Sequence, residues 1–187
     1  MSAKVPVLQA WPIEDPEDRI GLIYEMARLS IADPGMQKLA RRIVRRVRPR
    51  DERGEVNAVF GFIKNWESGL PYRGDTRYFD TYQTCYHALD LAGNGEAAGG
   101  DCDDHLGCLV ALLWILGYAT GSKIIGPGDQ FTHIYAIVGL PRVRPTQWVP
   151  LDTTVERSVM GWEPPKSARR LERKFIFARN GVYELVN

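Results

Sequence analysis

The sequence predicts an α+β protein in which a central helix packs on an antiparallel sheet. Apolar residues recur at helical spacing up to Leu116, and alternating strand patterns begin only at Ser122. The Asn180-Gly181 pair is typical of a two-residue hairpin turn and predicts that the last two strands pair antiparallel. Because the helices precede the strands instead of alternating with them, the α+β class is favoured over a parallel α/β sheet.

The composition is ordinary for a globular protein and argues against several broad classes. The 187 residues suffice for one domain, and 24 Lys and Arg balance 23 Asp and Glu, so overall charge indicates neither a nucleic-acid nor a membrane partner. Three cysteines do not make a disulfide scaffold. Since there is no signal-peptide pattern and no apolar run near the ~20 residues of a membrane span, we expect a cytoplasmic protein without a membrane contact.

Two Asp-Pro pairs predict the helices of an N-terminal extension. Asp15-Pro16 and Asp33-Pro34 each place an N-cap residue before a proline at the first helical position. We expect the second of these helices to run until Pro49, which cannot continue it. The predicted division is a helical extension over residues 1–50 and a core over residues 51–187.

The predicted core opens with helices and closes with strands. A third helix is expected from about Glu52 to Trp66, and the strongest helical pattern runs from Cys102 to Leu116. Residues 1–14 and 92–100 lack periodicity and are expected to be irregular. A short helix is expected over residues 84–91, and strands are expected over 122–125, 131–140, 148–151, 174–179 and 182–186.

The second helix is unusually basic. Its cations are Lys38, Arg41, Arg42, Arg45, Arg46, Arg48 and Arg50. We interpret it as a solvated helix face, because no aromatic residues interleave the charges. A nucleic-acid contact through residues 38–50 is the alternative.

Cys102 stands at the start of the long apolar helix and is the candidate nucleophile. Asp101 is a natural N-cap, so Cys102 occupies the first helical position, where free backbone N–H groups and the helix dipole stabilise a thiolate. The carboxylates of Asp101, Asp103 and Asp104 oppose this by raising the thiol pKa, so a close imidazolium is needed. The other two cysteines, at positions 85 and 108, are interpreted as inert core residues.

A histidine and an aspartate on later strands complete a possible triad. His133 lies in the alternating strand QFTHIYAIVGL, and Asp152 ends the strand QWVPLD. Catalysis of this kind needs the imidazole within reach of the sulfur and the carboxylate on the other ring nitrogen. The chain order Cys102, His133, Asp152 therefore predicts a nucleophile, a general base and its orienting acid.

The segments GDCDDH, FTHIYAIV, WVPLDTTV and GWEPP together resemble the transglutaminase-like superfamily of papain-like fold, closest to its compact phage and prophage members. The resemblance covers about residues 52–165 and implies a core in which the Cys102 helix packs on an antiparallel sheet. It also implies that Cys102, His133 and Asp152 hold the three catalytic roles. The segment upstream of the cysteine box suggests Gln83 or Tyr82, with Thr84 as a further candidate, as the second oxyanion donor beside the Cys102 amide.

Two other interpretations compete with this triad. His105 follows Cys102 by three residues and is a competing base, but no acid is evidently placed to orient it, so His133 is favoured. The Cys-x-x-His spacing offers a metal at most two ligands and matches no zinc pattern, so neither a metal nor a cofactor is predicted.

The predicted function is acyl transfer on a peptide or protein amide, with hydrolysis favoured. Crosslinking of an amine acceptor requires the exclusion of water by a lid, which the sequence does not mark clearly. One alternative is a protein-crosslinking transglutaminase. The other is a non-catalytic phage or prophage protein that contacts phage structural proteins and is virion-associated.

Overall fold

The computed structural model describes residues 16–74, 81–91, 93, 99–178 and 180–185. The irregular arm expected at residues 1–14, and most of the irregular stretch expected at 92–100, lie outside these residues. The elements are α1 (Pro16–Ile31), α2 (Pro34–Val44), α3 (Glu52–Lys64), α4 (Cys85–Ala88), α5 (Cys102–Ile115), β1 (Thr120–Gly126), β2 (His133–Leu140), β3 (Gln147–Leu151), β4 (Leu171–Ala178) and β5 (Gly181–Glu184), with a 3-10 turn at Lys166–Ala168.

The predicted α+β class and its antiparallel sheet are confirmed. The five strands lie in the order β3-β2-β1-β4-β5, and every neighbouring pair is antiparallel. The predicted terminal hairpin forms, but Ala178 pairs with Gly181, so Gly181 opens β5 instead of occupying the turn. Its φ of 150° lies in a region that favours glycine. In the described part of the chain, no helix is long and apolar enough to span a bilayer.

Helix α5 lies at the centre of the molecule. Its middle residues, from Leu106 to Leu113, are all buried, because the sheet covers one side and α1, α2 and α3 cover others. The alternation of β2 is as predicted: Ile134, Ala136 and Val138 join the main core, while Tyr135 and Ile137 form a second cluster. The sheet therefore presents one face to the cysteine helix.

The N-terminal helices share this core. Ile20, Ile23 and Ala27 of α1 are buried in the same cluster as α5, and Tyr24 meets Trp114 edge to face with ring centroids 5.6 Å apart. The division of the chain at residue 50 stays a prediction.

The prediction that the basic helix extends to Pro49 is wrong. Helix α2 ends at Val44, and Arg45 to Arg50 continue as turns. Extending the helix would stack Arg41 over Arg45 and Arg42 over Arg46, and like charges at that spacing are destabilising. The residue before Pro49 also disfavours helical geometry. The cations therefore occupy a helix and the turn after it.

Candidate active site

The cysteine box begins with a tight turn that only glycine permits. Gly99 has a φ of +72°, and a Cβ on Gly100 would lie 2.3 Å from the Asp104 side chain. Gly100 also donates to the Pro71 carbonyl at 3.0 Å, while its own carbonyl accepts from the Arg73 amide at 2.9 Å. This backbone pairing fixes the segment that contains Tyr72 beside the start of α5.

Asp101 caps α5, and Cys102 is the first helical residue, as the local pattern indicates. The Asp101 carboxylate accepts a hydrogen bond from the Asp103 amide at 3.2 Å. The backbone N–H groups of Ile134 and of Cys102 itself lie close enough to the sulfur to lower its pKa. Since Ile134 follows His133 directly, the thiol meets β2 at the strand end where the histidine lies.

The thiol of Cys102 is disfavoured as an anion. Burial raises its pKa most, the Asp101 and Asp103 carboxylates raise it further, and the two backbone N–H groups only partly offset these effects. The pKa consequently lies far above its usual value. The helix dipole alone does not activate this sulfur, so ionisation depends on a proton acceptor.

His133 and Asp152 form a hydrogen-bonded pair at the end of the sheet. The His133 Nε2 and Asp152 Oδ2 atoms are 2.8 Å apart, and the Asp152 side chain has 0% exposure. The other carboxylate oxygen accepts from the Thr154 amide at 3.1 Å and from its hydroxyl at 2.8 Å. Burial raises the pKa of Asp152, but the hydrogen bonds from His133 and Thr154 outweigh it and hold the pKa below its usual value. An ionised Asp152 on Nε2 leaves Nδ1 as the ring nitrogen for proton transfer.

Lys64 fixes the loop that follows Asp152, a role that sequence reasoning missed. Its ammonium donates to the Val155 carbonyl at 2.6 Å and to the Ser158 hydroxyl at 2.8 Å. The Ser158 hydroxyl in turn donates to the Asp152 carbonyl. Burial lowers the pKa of Lys64, with the Asp152 charge acting in the opposite direction. A lysine in the last turn of a helix such as α3 is common, because it interacts favourably with the helix dipole. The sequence near Lys64 therefore gives no sign of its contact with Val155, 91 residues further along the chain.

His105 is near the site but is bound differently. Its ring is 1% exposed, and Nδ1 contacts the Thr153 hydroxyl at 2.9 Å. Burial lowers its pKa to about 4, with the Asp152 charge opposing the shift, so the ring is neutral at pH 7. Asp152 therefore contacts His133 directly, whereas His105 shares its hydrogen bond with a hydroxyl group.

Two aromatic side chains stand beside these groups. The rings of Trp66 and Tyr72 are 5.7 Å apart, and Tyr72 is 5.9 Å from the His105 ring. Burial raises the pKa of Tyr72, and charge on Cys102 and the nearby carboxylates raises it further. Its hydroxyl therefore stays protonated at neutral pH.

The predicted oxyanion candidates have other contacts. The Gln83 amide nitrogen donates to the Gly99 carbonyl at 2.5 Å and to Asp104 Oδ2 at 3.1 Å, which uses both of its N–H groups. Tyr82 is 7% exposed and belongs to the hydrophobic core. In this arrangement Gln83 ties the approach to α4 to the cysteine box, and its oxyanion role stays a prediction that requires the amide to move.

Three carboxylates gather at the head of α5. In the described residues, oxygen atoms of Asp101, Asp103 and Asp104 lie within 4.8 Å of one another. Asp101 caps the helix, Asp103 accepts from the Asp104 amide at 3.0 Å, and Asp104 accepts from Gln83. Local hydrogen bonds thus explain the positions of the three carboxylates. Of these, Asp101 and Asp103 raise the pKa of the Cys102 thiol.

Comparison with known proteins adds little at the level of residues. No family model matches the chain, and no curated protein matches it. A candidate cysteine protease from Cytophaga hutchinsonii is similar at 16% identity and a TM-score of 0.42, over 97% of this chain and 56% of that chain. A Rad4-Rad23 complex bound to a 6-4 photoproduct UV lesion is similar at 12% identity and a TM-score of 0.45, over 90% of this chain and 44% of that chain. This chain spans about half the length of these proteins, and likeness at this level assigns no role to any residue.

Proposed function

We propose that this protein is a cysteine-dependent acyl transferase of the transglutaminase-like kind, with Cys102 as nucleophile, His133 as general base and Asp152 as the acid that orients it. The observation that carries the proposal is the His133–Asp152 hydrogen bond of 2.8 Å, made by a fully buried carboxylate. The amide of Ile134, the next residue along β2, lies close enough to the Cys102 sulfur to lower its pKa, which supports the proximity of Cys102 to His133.

The reaction follows from the protonation states. The Cys102 thiol transfers its proton to Nδ1 of His133 as the sulfur bonds to an amide carbonyl carbon, and the carbonyl electrons move to oxygen. The Cys102 amide and a second donor stabilise that oxyanion. His133 then protonates the departing amine as the C–N bond breaks, which leaves a thioester. Water attacks the thioester carbonyl carbon while His133 takes its proton; the C–S bond then breaks, the carboxylic acid leaves, and His133 returns the proton to the sulfur.

Hydrolysis is the preferred outcome for the thioester. Tyr72, near Cys102, is 44% exposed, so water can reach this side of the site. Transamidation is tested by offering a fluorescent primary amine to the acylated protein and measuring its incorporation. The proposal also places the protein among the phage- and prophage-type members of the superfamily. It further includes a cytoplasmic or virion-associated location.

A non-catalytic interaction protein is the second candidate. The observation that favours it is the Cys102 thiol itself, whose pKa is raised by burial and by two adjacent carboxylates. A thiol that stays protonated is a poor nucleophile. The two candidates differ in whether His133 can draw the proton away during attack.

Acylation by p-nitrophenyl acetate separates the two candidates. We expect a burst of p-nitrophenolate and one acetyl group on Cys102 by mass spectrometry, with slower reaction after His133→Ala and little change after His105→Asn. Iodoacetamide should likewise label Cys102 much faster than Cys85 or Cys108, which are 2% and 1% exposed. Equal, slow labelling of all three cysteines, without a burst, would support the interaction protein.

A further inference from the structure

The turn after α2 and the end of that helix present a cationic surface to solvent. Its members are Lys38, Arg41, Arg42, Arg45, Arg46, Arg48 and Arg50, all of them exposed. Residues 34–50 contain no Asp or Glu. The flanking carboxylates, Asp33 and Asp51, accept hydrogen bonds from the amides of Met36 and Gly54 as N-caps.

This cationic surface lacks acidic partners within the described residues. The salt bridges found there involve other cations, including Arg28, Lys123 and Arg142. Arg41 is held against its own helix, donating to the Gln37 carbonyl at 3.1 Å and to the Gln37 side chain at 3.2 Å. The surface therefore concentrates guanidinium groups that no described carboxylate neutralises, although the whole chain is nearly neutral.

A groove beside this surface supplies the aromatic contact that the local sequence lacks. It has a volume of about 330 Å³ and is lined by Ile31, Gln37, Arg41, Trp114 and Ile115. Trp114 lies near the end of α5, and the fold brings it beside Arg41, which is 73 residues earlier in the chain. Its ring lies edge to face with Tyr24 and Phe177 in the core, is only partly buried, and is one of the groups that line the groove.

From this juxtaposition we infer that the cationic surface and the Trp114 groove together bind single-stranded nucleic acid. Guanidinium groups match phosphate geometry, and a groove with an aromatic wall accepts an unpaired base by stacking. A duplex keeps its bases stacked internally and cannot use the groove. An acidic protein segment would use the cations but not Trp114. The inference goes beyond acyl transfer and needs no chemistry at Cys102.

Fluorescence anisotropy with a labelled single strand of 15 thymidines and the full chain tests the inference. If about five phosphates are neutralised, log Kd should rise with log salt at a slope of about 3.5. Arg42/Arg45/Arg46→Gln should lower that slope by about 2 and weaken binding at low salt. The matched control is Arg157/Lys166/Arg170→Gln, which removes the same charge at exposed positions elsewhere and should leave both quantities unchanged.

An abasic strand of equal length measures how much base stacking in the groove contributes to binding, without altering the protein. We expect it to bind at least about fivefold more weakly, because it keeps the phosphates and loses stacking. The inference is overturned by absence of binding at low salt, by an equal loss in the control variant, or by equal binding of the abasic strand. Polyglutamate that competes as well as the oligonucleotide, at equal charge, would overturn it in favour of an acidic protein partner. Cys102→Ala should bind like the parent, so failure of the proposed catalysis leaves this result intact.

Discussion

The candidate site has a strand side, made of His133 and Asp152, and a helix side, made of Cys102 and the carboxylates at the head of α5. The surroundings stabilise the anionic form of the key group on the strand side and destabilise it on the helix side. On the strand side, the Asp152 carboxylate is fully buried yet accepts hydrogen bonds from His133 and Thr154, which hold its pKa low. On the helix side, the Cys102 sulfur is buried among carboxylates that raise its pKa. The base is therefore pre-organised, whereas the nucleophile starts as a neutral thiol.

This contrast indicates that a position at a helix N-terminus is not sufficient to make a cysteine reactive. The dipole and free amides favour an anion, but burial and the Asp101 and Asp103 carboxylates outweigh them and raise the Cys102 pKa. Activation must then come from the strand side, by proton transfer to His133 during attack. Substitutions on each side of the site test this contrast.

The largest effect is expected from breaking the strand side with Asp152→Asn. Without the carboxylate, the His133 tautomer is no longer fixed with Nδ1 as the acceptor. By analogy with other triads, acylation of Cys102 by p-nitrophenyl acetate should fall roughly 10³- to 10⁴-fold. Cys102→Ala, which removes the acylated atom, sets the baseline. An unchanged rate would show that Asp152 orients nothing.

Stability against pH tests the neutral histidine that lies between the two sides. His105 is uncharged in the native state down to about pH 4, while the unfolded residue protonates near 6.5. Because the unfolded state binds more protons in that window, stability should fall as pH drops through it, by about 3 kcal/mol for this residue. Urea unfolding at pH 7 and pH 4.5 should show less acid destabilisation in His105→Asn than in the parent. An identical acid loss in both proteins would place its cause in the carboxylates.

A smaller effect is expected from loosening the support of the strand side. Lys64→Met removes the ammonium that donates to Val155 and Ser158, so the loop after Asp152 gains freedom. We expect the maximal acylation rate to fall about tenfold with little change in the half-saturating reagent concentration, because geometry rather than binding is lost. Lys38→Met at an exposed position is the matched control. Partial rescue by Lys64→Arg would indicate positioning, and an equal loss in the control would contradict it.

The smallest effect is expected from relieving the helix side with Asp103→Asn. Removing one like charge lowers the Cys102 pKa, so the thiolate fraction rises at every pH below it. Alkylation by iodoacetamide at pH 7 should speed up about threefold, and the pH–rate curve should shift to lower pH. The exposed Asp129→Asn variant controls for overall charge. A slower reaction in Asp103→Asn would mean that the carboxylate assists the thiol.

The helices and strands were largely predictable because their signals are local. Asp33 and Asp101 cap α2 and α5 as expected, since an N-cap needs only the next three residues. The prediction that α2 extends to Pro49 is wrong: the helix ends at Val44, and both the like charges one turn apart and the residue before Pro49 disfavour its continuation. The catalytic roles of Cys102, His133 and Asp152 remain predictions, although the structure shows the second and third in contact.

Three features can be predicted from the sequence alone: the order of the elements, the capped cysteine at the head of an apolar helix, and the alternation that gives β2 two different faces. These follow from interactions within a few residues of chain. Only the tertiary structure decided that Lys64 supports the Asp152 loop, that Gln83 is occupied by Asp104, and that Trp114 lies beside Arg41. Such contacts depend on how separate elements pack, because a hydrogen bond or a shared groove is set by distance in space and not by position along the chain.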